Sequence, residues 1–214
     1  MHRVSLRAQP HPAEWLLAAA LLASYPASAF LPAPWSREGG LLENLQVLVL
    51  CAGCLYALGC WLRTRPLRLS LLALWGAPVW LLLAARELSW GRVLFPEDAH
   101  GAGAFWLQPA VRPLAALVLA WLVFSAIRYR IHEVLRSALA RRIPWMALAV
   151  VLVAALGSTC AEGHMGCSLP LPAARAELVE EQAELVAYLS LFAIQAALLF
   201  TPRAARLSVE TKPA

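Results

Sequence analysis

Residues 69–92 read LSLLALWGAPVWLLLAARELSWGR, an apolar run that ends in two arginines, a glutamate, a serine and a tryptophan. Such a run predicts a helix that crosses a lipid bilayer, which takes about 20 mostly apolar residues. Counted from Leu69 at 1.5 Å per residue, Glu87 lies about 27 Å along that helix, near the far edge of a hydrocarbon core about 30 Å thick. Charged side chains at that depth are costly, so they usually face a protein interior or a wet cavity.

The composition of the whole chain agrees with a membrane protein. Of its 214 residues, 61% are hydrophobic and 14% are charged, whereas about 25% of the residues of a soluble domain are charged. We expect an all-α, polytopic bundle that forms a single transmembrane domain over residues 1–214. The six predicted spans cover residues 15–33, 41–62, 69–88, 111–127, 143–160 and 179–200.

The basic residues predict the orientation of these spans. With six spans and both termini in the cytoplasm, the inner segments hold most of the arginines, and the acids gather on the outer side. Basic residues are retained preferentially in cytoplasmic loops, so we expect a multi-pass protein of the bacterial inner membrane. The net charge of +5 then reflects orientation, and nothing in it indicates a nucleic-acid partner.

Two further segments near the membrane surface have simple interpretations. Residues 128–142 place apolar side chains at helical spacing between arginines, which predicts an amphipathic helix on the anionic inner surface. Arg3, Arg7 and the apolar run after them imitate a secretory signal peptide ending in Ala27-Ser28-Ala29. We expect this segment to stay uncut as the first span, kinked at Pro26 or Pro32.

The last span carries a polar stripe. At 100° per residue, Glu177, Glu181, Glu184, Tyr188 and Gln195 fall on one narrow face of an otherwise apolar helix. A stripe of this kind predicts contact with the interior of the bundle, because lipid cannot satisfy it. A solvated acidic first turn would explain only the residues nearest the start of the helix.

Acids on separate spans can thus meet at one candidate binding site near the outer leaflet. Its predicted members are Glu43, Arg86, Glu87, Ser89, Trp90, Arg92, Glu181, Glu184 and Tyr188. Carboxylates supply acid–base capacity or ligands for hard cations, and arginine suits phosphate, so the expected ligand is a cation, a proton or a lipid headgroup. Two simpler alternatives are an interfacial belt of Arg and Trp around residues 86–92 and plain helix-start polarity at Glu43.

The cysteines suggest a disulfide and leave two alternatives open. Cys160 and Cys167 lie in a predicted outer loop, where an oxidising compartment favours a disulfide between them. A metal site made of Cys160, His164 and Cys167 is the alternative for that loop. Cys51 and Cys54, one turn apart in the second span, resemble small buried thiols, although two cysteine pairs would also fit a quinone-linked thiol–disulfide oxidoreductase.

Three motifs resemble those of a family of bacterial polytopic inner-membrane proteins. They are Arg37-Glu38-Gly39-Gly40 with Glu43-Asn44, then Arg86-Glu87-Leu88-Ser89-Trp90-Gly91-Arg92, and then Glu180-Glu181-x-x-Glu184. The resemblance implies a membrane-embedded bundle and implies no activity or cofactor. The remaining functional alternative is that the polar groups lock the helices of an accessory or scaffold subunit of a membrane complex.

Overall fold

The chain folds as an assembly of helices. A computed structural model describes residues 11–37, 39–63, 67–88, 102–139, 144–163 and 166–199, with the backbone alone for residues 67–68, 102–109 and 112. Over these ranges it has seven α-helices and no β-strand. They are α1 Pro12–Ala27, α2 Leu41–Arg63, α3 Leu67–Glu87, α4 Ala102–Arg128, α5 Ile131–Leu139, α6 Trp145–Ala161 and α7 Ala173–Leu199. The prediction of an all-α chain is confirmed for this part of the protein.

The helix ends differ from the predicted ones where proline decides them. The first helix ends at Ala27 and does not continue to residue 33, and a short 3₁₀ turn, Ala33–Trp35, follows it. Pro32 and Pro34 each lack the N–H that a continuing helix would need, whereas Pro26 lies inside α1, one residue before its end. At the start of α7 the helix begins at Ala173, directly after Pro172, since proline is well accommodated at a helix start.

Three helices are long and apolar enough to cross a membrane: α2, α3 from Leu69 onward, and α7. A fourth span would be the pair Pro113–Arg128 and Ile131–Leu139, which is bent by 72°. Helix α6 is apolar but has only 17 residues, about 26 Å at 1.5 Å per residue. The structure is therefore consistent with a membrane protein that has three or four spanning helices, and six spans stays a prediction.

The bend between α4 and α5 occurs at Arg130, which adopts the left-handed backbone conformation with φ of 52°. Helix α5 then buries Ile131, Val134 and Ala138 and leaves Arg136 exposed. The amphipathic helix predicted for residues 128–142 is thus present over Ile131–Leu139, and residues 140–142 lie outside the described part of the chain.

Helices α2, α3 and α7 pack together and form one of the two main clusters of buried residues. Leu50 and Ala57 of α2 lie against Ala77 and Trp80 of α3, and Tyr188 of α7 completes the cluster. Helix α6 packs on α7, while α1 lies against both α6 and α7. The core thus joins the three helices whose polar residues form the predicted site.

Gly53 allows α2 and α3 to approach each other closely. A Cβ at this position would lie 2.5 Å from a carbon of the Trp80 ring, whereas nothing lies within 4 Å of the corresponding point at Gly59. Because both helices lie in the packed core, we expect Gly53→Ala to lower the free energy of unfolding by about 1–3 kcal/mol through overpacking. Unfolding of the purified protein by SDS in mixed micelles measures this.

Gly59→Ala is the matched control, since it adds the same methyl group to the same helix in open space. It should leave stability unchanged or raise it slightly, because alanine favours a helix more than glycine does. Equal effects of the two substitutions would contradict the close approach at Gly53.

Candidate functional site

Arg86 lies in the last turn of α3, where a positive charge also suits the helix dipole. Its Nη1 atom donates to Glu87 Oε1 at 2.7 Å and to the hydroxyl of Tyr188 at 2.9 Å. Its Nη2 atom donates to Glu184 Oε1 at 2.9 Å. One guanidinium therefore bridges a carboxylate of α3 and a carboxylate of α7.

Two hydroxyl groups complete this set of contacts. Tyr188 donates to Glu87 Oε1 at 2.6 Å, and Ser158 of α6 donates to Glu184 Oε1 at 3.2 Å. We call these five residues, Arg86, Glu87, Ser158, Glu184 and Tyr188, the Arg86 cluster. The cluster connects α3, α6 and α7 through side chains alone.

The members of the cluster differ in exposure in a way that matters for binding. The side chain of Arg86 is 48% exposed, whereas those of Glu87 and Glu184 are 7% and 14% exposed. The guanidinium thus covers two carboxylates that are almost removed from solvent. Charges in this setting interact more strongly than at an open surface, because they are screened less.

A second polar contact lies one turn from the cluster, between α2 and α7. Gln46 is fully buried, and its Nε2 atom donates to Glu181 Oε2 at 2.8 Å and to the Glu181 carbonyl oxygen at 2.9 Å. The other end of the amide, Gln46 Oε1, is buried and has no hydrogen-bond partner among the described residues. Leaving a buried acceptor unpaired is unfavourable.

The polar stripe of α7 continues beyond Tyr188. Gln195 accepts a hydrogen bond from Trp80 Nε1 and donates from Nε2 to the carbonyl oxygen of Gly53 at 3.1 Å. The face of α7 that carries Glu181, Glu184, Tyr188 and Gln195 therefore contacts polar groups of α2, α3 and α6 along its length, as the 100° spacing of these residues predicted.

Glu43 has a different described role. It is buried in the first turn of α2, and its carboxylate accepts a hydrogen bond from the backbone N–H of Gly39. That contact ties the carboxylate to the turn just before the helix, and a carboxylate in the first turn suits the positive end of the helix dipole. The simpler interpretation, helix-start polarity, accounts for this contact of Glu43.

Three predicted site residues, Ser89, Trp90 and Arg92, lie outside the described residues. Their place relative to the Arg86 cluster, and the alternative of an interfacial Arg and Trp belt, stay predictions. Sequence reasoning in turn missed Ser158 and did not assign Gln46 to the site. Ser158 and Thr159 interrupt the apolar sequence of α6, and that interruption is the signal that would have identified Ser158.

A disulfide joins Cys160, in the last turn of α6, to Cys167, in the loop before α7, as the sequence predicted. Cys51, Cys54 and Cys60 of α2 are free, with Cys51 exposed and Cys54 buried. Across the described ranges, no three His, Cys, Asp or Glu residues are arranged to hold a metal ion, and His164 lies outside those ranges. With Cys160 and Cys167 bonded to each other, neither offers the thiolate that the alternative metal site requires.

The chain matches no protein-family model, and it shows no significant similarity to curated proteins or to solved structures. The arrangement of the site residues is therefore what bears on its function.

Proposed function

We propose that the protein is a six-span membrane protein of the bacterial inner membrane, with both termini in the cytoplasm, that binds a positively charged ligand on its outer side. The ligand is a proton or a small cation, held between α2 and α7 beside the Arg86 cluster. The disulfide supports the orientation, because it lies at the same end of the bundle as Ser158 and because disulfides persist in oxidising compartments.

The balance of charges supports a positive ligand. Arg86 forms ion pairs with Glu87 and with Glu184, so two carboxylates already share its single positive charge. Among the described residues, the carboxylate of Glu181 forms a hydrogen bond with Gln46 and no ion pair. In the part of the chain that the structure describes, Glu87, Glu181 and Glu184 thus lie around one base, and Glu43 and Glu180 are close enough to Glu87 and Glu184 to interact with them electrostatically. Such an excess of acids in a poorly solvated region calls for a proton or a cation.

The observation that carries the proposal is the unpaired oxygen of Gln46. This fully buried amide directs its nitrogen to Glu181. Within the described ranges, Oε1 is therefore an acceptor without a donor, next to an acid without a base. A proton, or a cation that bears hydrogen-bond donors, would neutralise Glu181 and at the same time give Gln46 Oε1 a donor. The same balance argues against a phosphate headgroup, since Arg86 is already neutralised by its carboxylates.

Infrared difference spectra of the purified protein test the proposal, using pH steps and added ammonium or sodium chloride as probes. We expect wild-type protein to show a carboxyl band that changes with pH or with one of these cations, and we expect Glu181→Gln to abolish that band. Glu177→Gln, one turn closer to the start of α7 on the same stripe, is the matched control and should keep it. A wild-type spectrum without such a band, or one that Glu181→Gln leaves intact, would overturn the proposal.

One observation favours a second function, that of an accessory or scaffold subunit. The hydrogen bonds of the Arg86 cluster, together with those of Gln46 and Gln195, mostly connect one helix to another. A network of this kind can simply fix the arrangement of the bundle. In that case Glu181→Gln would change stability and leave the infrared response to pH and to cations unaltered.

A further inference from the structure

A narrow apolar cavity of about 190 Å³ lies between α3 and α7, away from the Arg86 cluster. Trp75 and Val79 of α3 form one wall, Leu191 and Ile194 of α7 form the other, and Leu135 of α5 closes one end. A cavity with walls of this kind stays dry and accepts apolar groups.

The polar groups next to the cavity are occupied within the protein. The indole N–H of Trp75 donates to the carbonyl oxygen of Leu122 at 3.1 Å, and that of Trp80 donates to Gln195. The amide nitrogen of Gln195 in turn donates to the carbonyl oxygen of Gly53. Both indole N–H groups and one N–H of the Gln195 amide thus have partners among the described residues. The rest of the lining is apolar, so an apolar chain fits better than a polar molecule.

The length of the cavity matches half of a bilayer. Its α3 wall runs from Leu72 to Leu83, which is about 16 Å at 1.5 Å per residue. The hydrocarbon core of a membrane is about 30 Å thick, so one leaflet contributes about 15 Å. One end of the cavity lies at Leu135 of the amphipathic helix α5. The next residue in the sequence, Arg136, is on the exposed face of that helix. Arg128, at the end of α4, is also exposed.

We propose that the cavity holds one acyl chain of an anionic phospholipid from the leaflet that α5 faces, with the phosphate of that lipid bound near Arg136. The apolar walls select the chain, and the exposed arginines select the negative headgroup, since basic residues at a membrane surface attract anionic lipids. This site is separate from the proposed cation site and does not depend on it.

The experiment uses the full chain in nanodiscs made of phosphatidylcholine with a small fraction of phosphatidylglycerol that carries a photoreactive diazirine in its acyl chain. Peptide mass spectrometry then locates the crosslinks. We expect them to concentrate on the cavity-lining stretches of α3 and α7 and to fall at least fivefold in Ile194→Trp, which fills the cavity. Leu189→Trp places the same ring on an exposed position of the same helix and should leave the labelling unchanged.

Val79→Phe fills the cavity from the α3 side. It gives the same test with a second variant if Ile194→Trp does not fold. Arg136→Gln should reduce the preference for phosphatidylglycerol over a diazirine-bearing phosphatidylcholine, without moving the crosslinked positions. Labelling spread evenly over the exposed faces, or labelling that both cavity-filling variants leave unchanged, would overturn the proposal. A protein fragment that co-purifies in the cavity in place of lipid would overturn it as well.

Discussion

Arg86→Gln is expected to lower the free energy of unfolding by about 2–3 kcal/mol. The substitution leaves Glu87 and Glu184 without their cation, and both carboxylates are nearly buried. Removing one partner of a fully buried ion pair costs about 3–5 kcal/mol. We expect less here because the Arg86 side chain is 48% exposed, and exposed pairs contribute little. Unfolding by SDS in mixed micelles measures the change.

A double substitution distinguishes the loss of the ion pair from a general loss of stability at the end of α3. Because Arg86→Gln/Glu184→Gln removes one of the two uncompensated carboxylates together with the cation, it should recover part of the loss, with a coupling energy of about 1 kcal/mol or more. Arg63→Gln, at an exposed arginine in the last turn of α2, is the control and should change stability by less than about 0.5 kcal/mol. An Arg86→Gln protein as stable as wild type would show that the cluster contributes nothing to the fold.

The helices could be predicted from the sequence because their apolar runs are long and bounded by prolines and charged residues. The predicted span 41–62 and the helix Leu41–Arg63 agree within one residue. The number of spans could not be decided in the same way. Helix α6 is mostly apolar but short, and α4 joins α5 through a sharp bend at Arg130. Whether such segments cross a bilayer depends on their neighbours and on the lipid, and local composition does not encode that.

The polar stripe of α7 was predictable because helical periodicity alone places Glu184, Tyr188 and Gln195 on one face, and a polar face in an apolar helix must find partners. Which partners it finds depends on the rotation of the neighbouring helices. Glu43 shows the limit of the approach, since its carboxylate accepts a hydrogen bond from Gly39, just before its own helix, and also lies close enough to Glu87 to interact with it electrostatically. A local contact of that kind competes with a distant one, and both are compatible with the same sequence.

The second large effect is expected at the disulfide. The bond between Cys160 and Cys167 closes a loop with a sequence separation of 7. Closing a loop of this size restricts the unfolded chain and is worth about 2–3 kcal/mol in the chain-entropy account. Cys160→Ser/Cys167→Ser should therefore lower stability by about that amount in the SDS titration. Cys60→Ser, at a free and half-buried thiol of α2, is the control and should cost less.

The same two residues test the orientation of the bundle, and with it the side on which a ligand reaches the Arg86 cluster. Because α6 ends at Ala161, just beyond Ser158, the loop that the disulfide closes lies at the end of the bundle where Ser158 contacts Glu184. In intact spheroplasts, a membrane-impermeant maleimide should label Cys160 and Cys167 only after mild reduction. Labelling without reduction would show that the thiols are free, and labelling that needs the membrane to be opened would place the loop in the cytoplasm. The first result would contradict the disulfide and leave the loop outside. The second would reverse the proposed outward orientation, because the cytoplasm is a reducing compartment where the disulfide does not persist.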